Sequence, residues 1–174
     1  EIHFMWKHKY YVAVLTASNQ GAAGQRLDES GPLISSVMDE MGCKIVERAL
    51  LPDDAAGLSR QMRQWSESGK IDLILTTGGT GLPPRDQMPE ATEAIASRRV
   101  PGISETIRAH SMKITPRAML SRGVSVLCGN TLIINLPGSP KAVRESLDAI
   151  LPALEHGLDT LCQNDRECAG QDKI

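Results

Sequence analysis

Short apolar runs that alternate with helical segments constrain this chain more than any other feature of its sequence. Tyr10 to Thr16 (YYVAVLT) is β-branched and apolar and gives way to the turn-rich SNQGAAG, which reads as a buried strand ending in a loop. Lys44 to Leu51 (KIVERALL) is a second strand ending at Pro52, and Ile71 to Thr76 (IDLILT) is a third that runs straight into TGGTGLPPRD. Between them lie helical patterns. Gly31-Pro32 opens LISSVMDEM, whose apolar residues fall at helical spacing, and Gly42 stops it. Asp53 or Asp54 is placed to cap the next helix, AAGLSRQMRQWSES. Strands alternating with helices predict a mainly parallel sheet in an α/β layer fold. Parallel strands are buried on both faces and so read as continuous hydrophobic runs rather than alternating ones.

The second half of the chain is less regular. Pro89 to Ser97 reads as a helix, Val100-Pro101-Gly102 as punctuation, and ISETIRAHSMK as another helix. Val124 to Cys128 and Thr131 to Leu136, joined by Gly129-Asn130, form a hairpin or a bulged strand pair. After Pro137-Gly138-Ser139-Pro140, a long helix carries Val143, Leu147, Ile150, Leu151, Leu154, Leu158 and Leu161 on one face. One domain over residues 7–162 is expected, with flexible ends at 1–6 and 163–174.

Composition narrows the function classes. Aromatic residues make up only 3% of the 174 residues, so Val, Ile, Leu, Met and Ala must fill the core. A net charge of -2 gives no general attraction to nucleic acid or to an anionic membrane, so any anion site must be local. Cys43, Cys128, Cys162 and Cys168 have neither metal-ligand spacing nor the density of a disulfide framework, and they read as reduced thiols. No run approaches a membrane helix and the start lacks a signal-peptide core, which together predict a cytoplasmic protein.

In open α/β sheets ligands gather beyond the carboxyl ends of the strands, at a topological switch point. That rule selects the loops after Thr16, Leu51 and Thr76, and the loop at Asn135 to Ser139. In Thr76-Thr77-Gly78-Gly79-Thr80-Gly81, glycines at a strand end let backbone N–H groups approach a phosphate, although an ordinary tight turn uses the same residues. No lysine follows with the spacing of a P-loop. Pro83-Pro84-Arg85-Asp86 stiffens the neighbouring chain and adds a cation and a carboxylate. Asp53, at another strand end, and Asp86 could face one cleft and share a Mg²⁺ ion bound to nucleotide phosphates; helix or turn capping is the alternative role for each. Ser139 opens the last helix, where an anion or a plain serine cap would fit equally. Lys113, Arg122 and Lys141 are candidate phosphate partners. His110 and His156 lack a second ligand at helical spacing and read as neither catalytic nor metal-binding.

The segments LILTTGGTGLPPRDQMPEA, TPRAMLSRG and TLIINLPGSPKAV, in that order, resemble the bacterial molybdopterin adenylyltransferases and the G domains of gephyrin-type molybdenum insertion proteins, and the resemblance runs from about Val12 to Leu161. It implies a three-layer α/β sandwich, usually a homotrimer, that adenylylates molybdopterin with Mg-ATP and releases pyrophosphate before metal is inserted. The molybdenum insertion enzyme is then a further expected partner. By motif match, Asp53 and Asp86 are the essential aspartates, and Ser121 handles the pterin or its adenylylated form. Thr77, Gly78, Gly79, Thr80, Gly81 and Arg85 would line the nucleotide or pterin pocket together with Asn135, Pro137, Gly138 and Ser139. The chain departs from the family pattern at Asn19, where Asp is common, and at Met88, where Thr is common. Loss of a negative charge at the first and of a hydroxyl beside Asp86 at the second supports an alternative, a pterin-binding relative without catalysis.

Overall fold

The structure, a computed structural model, describes residues 5–170, with side chains described as far as Cys162. One six-stranded sheet organises it. The strands are β1 (Tyr11–Ala17), β2 (Lys44–Leu51), β3 (Leu73–Thr77), β4 (Arg98–Arg99), β5 (Ser125–Cys128) and β6 (Thr131–Leu136), in the order β2-β1-β3-β6-β5-β4. The first four in that order run parallel, and β5 and β4 add an antiparallel extension.

The helices are α1 (Asn19–Ala22), α2 (Ser30–Glu40), α3 (Ala55–Glu67), α4 (Met88–Glu93), α5 (Pro101–Met112) and α6 (Pro140–Gly170), with a 3₁₀ turn at Pro116–Leu120. Neighbouring residues of a strand point to opposite faces, and here both faces are covered. Val12, Val14, Leu73, Leu75, Leu132 and Ile134 pack beneath α2, α5 and α6. Ala13, Leu15, Ile74 and Ile133 pack beneath α3 and α4, against Leu58, Met62, Trp65 and Met88. This is the three-layer α/β sandwich expected, and the double burial explains why β1 and β3 read as unbroken apolar runs. Strand β2 lies at the sheet edge and is only partly buried, which tolerates its Lys44, Glu47 and Arg48.

Several boundaries differ from expectation. The helix expected over Pro89 to Ser97 stops at Glu93, because Ser97 donates its N–H to Leu127 O and the chain turns into β4. Residues of the first turn-rich loop close into α1, capped by Ser18 Oγ on the Gly21 N–H at 2.9 Å. The pair at Gly129-Asn130 is a hairpin, with Gly129 at φ +58°. Of the expected flexible ends, residues 1–4 and 171–174 and the side chains from 163 onward lie outside what is described. Trp6 is tied down: its N–H reaches Met41 O at 2.9 Å and its ring meets Tyr10 edge-on. Among the described residues no helix is long and apolar enough to cross a membrane.

Candidate functional site

Four parallel strands put four loops at one edge of the sheet, and β1 is flanked on one side by β2 and on the other by β3. The switch point is therefore the crevice between the ends of β1 and β3. Gly78 sits there at φ +87°, with its α-carbon so close to the Ala17 carbonyl that no side chain fits. The NLPGSP loop closes in from the other side. Thr77 Oγ1 donates to Pro137 O at 2.6 Å, and a β-carbon on Gly138 would lie 3.6 Å from the Gly78 α-carbon. Ser30 Oγ donates to Gly138 O at 2.7 Å, tying α2 to the same loop. A cleft of about 310 Å³ opens here, lined among others by Arg26, Asp28, Ser30, Gly78 and Ser139.

The two aspartates meet on the far side of the glycine loop. Gly79 has φ +68°, and a β-carbon there would fall 2.5 Å from Asp53 Oδ1. Two residues on, the Gly81 N–H donates to Asp86 Oδ2 at 2.8 Å. The loop thus runs between the carboxylates: Gly79 is required by its left-handed φ, and a side chain at Gly81 would push the Asp86 carboxylate aside. Asp53 Oδ1 is buried without a hydrogen-bond partner, the single such side-chain atom among the described residues. Its carboxyl titrates above the usual Asp range, first because burial disfavours the anion and second because the Asp86 charge is near; Arg85 opposes both. Asp54, not Asp53, caps α3, accepting from the Gly57 N–H at 2.8 Å.

The orphaned oxygen is the test of whether a cation belongs here. Two neighbouring carboxylates, one with an unused buried oxygen, form a donor set that a hard divalent ion would satisfy. No cluster of three or more metal-ligating side chains exists among the described residues. Mg²⁺ fits such a pair, since it is commonly held by one or two carboxylates and completes its octahedron with water and phosphate oxygens.

The other candidate residues divide by where their side chains go. Asn135 does not present its side chain to the cleft: it is buried, giving Nδ2 to Thr76 and Thr92 at 3.0 Å each and accepting the Val124 N–H at 3.1 Å. Ser139 Oγ accepts the Ala142 N–H at 3.2 Å and caps α6. Arg122, taken as a phosphate partner, spends its guanidinium on Gly81 O at 2.8 Å, Asp86 O at 2.7 Å and the Glu90 carboxylate. Ser121 is half-buried beside it, and its Oγ accepts the Gly123 N–H at 3.3 Å. Arg85 is exposed at the rim, and Lys113 and Lys141 are exposed away from the carboxylates, Lys141 facing Glu145. Burial pushes the Cys43 thiol up to about 12, which removes it as a nucleophile.

Asp28 escaped the sequence reading. Its two oxygens take the Gly31 N–H at 3.0 Å and the Thr16 hydroxyl at 2.8 Å, fixing α2 against the end of β1. The i to i+3 spacing to Gly31, just ahead of Pro32, was the available signal. A larger hollow, about 880 Å³, lies at the opposite edge of the sheet around Lys9, Tyr11, Lys70 and Asp72. It has no paired unsatisfied carboxylates, and it faces the amino ends of the strands, so volume alone does not locate the site.

Residues 13–156 match the family described as a probable molybdopterin binding domain. The chain belongs to that family. It is 36% identical over 156 residues to molybdopterin adenylyltransferase of Helicobacter pylori, covering 88% of this chain and 89% of that protein. It is 40% identical over 162 residues to gephyrin of Dictyostelium discoideum, covering 87% of this chain but 22% of that longer protein. Among solved structures, the molybdopterin biosynthesis enzyme MoaB from Thermus thermophilus superposes with a TM-score of 0.83 at 44% identity, over 87% of this chain and 96% of that one. Against this family, the two departures acquire structural explanations. Asn19 Oδ1 accepts the Asp53 N–H at 2.9 Å, a role that an aspartate oxygen would fill equally. Met88 is fully buried under the sheet among Met62, Ile74 and Ala91, so its side chain is core packing rather than a missing cap.

Proposed function

We propose that this chain is a nucleotidyltransferase of molybdenum cofactor biosynthesis, which adenylylates molybdopterin with ATP and releases pyrophosphate. The observation that carries this reading is the unpartnered, buried oxygen of Asp53 facing the Asp86 loop at the switch point. Family membership supplies the substrate. In the step, an oxygen of the pterin's terminal phosphate forms a bond to the α-phosphorus of ATP, the bond from that phosphorus to the β-bridging oxygen breaks, and pyrophosphate departs. The attacking oxygen is already ionised, so no general base or side-chain nucleophile is required. This agrees with a site that contains no histidine or reactive cysteine.

What this chain must supply is position and charge neutralisation. Bound Mg²⁺ would supply the positive charge that pyrophosphate needs as it leaves, held by Asp53 and Asp86. Gly78 and Gly79 keep side chains out of the crevice, so phosphates can approach the main chain. Arg85, exposed at the rim, is placed to meet a phosphate tail. Gly138 and Ser139 border the crevice, and Ser121, next to Arg122 on the Asp86 side, would meet the pterin. Neither Asn19 nor Met88 touches the carboxylates' function, which favours catalysis over mere pterin binding. The implied homotrimer is read by sedimentation equilibrium. Binding to a molybdenum insertion enzyme is read by co-purification of the two proteins.

The direct test incubates the protein with molybdopterin, ATP and Mg²⁺ and measures both products. Asp86→Asn should lower kcat by about 10²-fold or more, the usual scale for losing one electrostatic partner of the transition state. Equal yields from both proteins would remove Asp86 from the reaction.

A further inference from the structure

The carboxylate of Asp86 is useful only if its loop is held shut, and the residues between Gly81 and Asp86 have little of their own to hold it. Leu82, Pro83, Pro84 and Arg85 are all exposed. Within the loop, the Asp86 N–H reaches Pro83 O at 2.9 Å and the Gly81 N–H reaches the Asp86 carboxylate. The remaining closure comes from outside. Arg122 gives Nε to Gly81 O at 2.8 Å and Nη2 to Asp86 O at 2.7 Å, so one planar group spans both ends of the loop. Its own N–H binds Thr80 O at 2.9 Å. Behind it, Arg108 of α5 gives Nη1 to Gly123 O at 2.8 Å, anchoring the segment that carries Ser121 and Arg122 to the helix layer.

We propose that Arg122 is a positioning residue for adenylyl transfer: its guanidinium, by binding the carbonyls of Gly81 and Asp86 together, fixes the Asp86 carboxylate opposite Asp53 while its main chain ties that loop to Ser121. The inference rests on the adenylyltransferase reading for its kinetic consequence, but the geometry stands on its own. A guanidinium is required because its donors lie in a fixed plane and can serve two carbonyls at once, whereas an ammonium is a single point of charge. The contact with Glu90 is largely solvent-exposed and adds little to the hold on the two carbonyls. Arg122 acts through Asp86 and does not itself meet substrate.

Arg122→Lys keeps the charge and loses the span. Its kcat should fall by about 10²-fold, the scale expected when a reacting partner is displaced by about 1 Å. The KM for molybdopterin should change little, because Arg108 still holds the Ser121 segment. In the protein without substrates, amide hydrogen exchange at Gly81 should speed up by about tenfold as the loop opens. Glu90→Gln should leave both readouts near the wild-type values. A lysine variant with kcat within about twofold of wild type, or with unchanged Gly81 exchange, overturns the proposal. So does a rise in KM for molybdopterin at constant kcat, which would make Arg122 a ligand contact. If the wild-type protein makes no adenylylated molybdopterin, the functional reading fails, and the exchange measurement alone then judges whether Arg122 closes the loop.

Discussion

Replacing Asp53 by alanine should stabilise the metal-free protein while destroying its activity. Oδ1 is buried with no partner, and burial and the Asp86 charge both disfavour the anion. A buried polar atom left unsatisfied costs about 1–3 kcal/mol. Asp53 as a whole is only half-buried, so solvent screening puts the cost at the low end, ~1 kcal/mol. For a chain of this length that is a rise in Tm of about 2–4 °C at pH 7 in the presence of a chelator. The pH dependence has a definite sign. The folded carboxyl titrates above the unfolded value of 3.8, so below that value it is protonated in both states and costs nothing. As pH rises through the folded pKa, the wild-type protein loses stability that the alanine variant keeps. The gain from the substitution should therefore be full at neutral pH and shrink on acidification towards the unfolded value. Mg-ATP should reverse the order: at about one hundred times its Kd it adds ~2.7 kcal/mol to the protein that binds it, and the variant lacks half of the metal-binding pair. Thermal denaturation with and without Mg-ATP measures both effects. An alanine variant that is less stable than wild type at pH 7 without metal would show that Asp53 has a structural partner, and the metal-site argument would fail.

Gly78→Ala should be disruptive despite its small size, since φ is +87° and the new methyl would overlap the Ala17 carbonyl. A loss of about 2–4 kcal/mol is expected in urea denaturation, with the β1–β3 crevice forced apart. Asn135→Ala should cost about 3 kcal/mol, because it strands the Val124 N–H and removes two hydroxyl contacts in a buried network. Adding Thr92→Val should recover part of that loss, and strictly additive costs in the double mutant would argue against a shared network.

The layers of this fold were legible because burial on both faces writes itself into β1 and β3 as unbroken apolar residues, and Gly, Pro and Asp mark the ends. The second half was less so. Arg98–Arg99 forms a strand only because β5 offers an edge to it, and nothing local to two arginines predicts that. The loops of the site were found from the strand-end rule, and Asp53 and Asp86 from their place in those loops. What sequence could not show is where side chains turn after the backbone is set. Asn135 looks like a cleft residue at the end of β6, yet two threonines from β3 and α4 offer it partners inward. Arg122 reads as a candidate phosphate partner, yet the Gly81 and Asp86 carbonyls of a neighbouring loop capture it. Both outcomes depend on contacts between segments distant in the chain.

The Asp53-Asp54 doublet after Pro52 divides its two carboxylates between different tasks. Sequence alone left either aspartate as the cap of α3, and a cap is a sufficient reason for one acidic residue at a helix start. Asp54 fills that role completely, with its carboxylate on the Gly57 N–H. Asp53 then has no structural task for its carboxylate: its main chain is held by Asn19, and its Oδ1 lies against Gly79 without a donor. A fold selected only for stability would replace such a residue, because almost any small side chain would remove the penalty. In this chain the residue stands at the switch point, opposite a second carboxylate whose loop is clamped from outside. Under the function proposed above, a phosphate-bound divalent ion would compensate that charge, since two facing carboxylates suit such an ion.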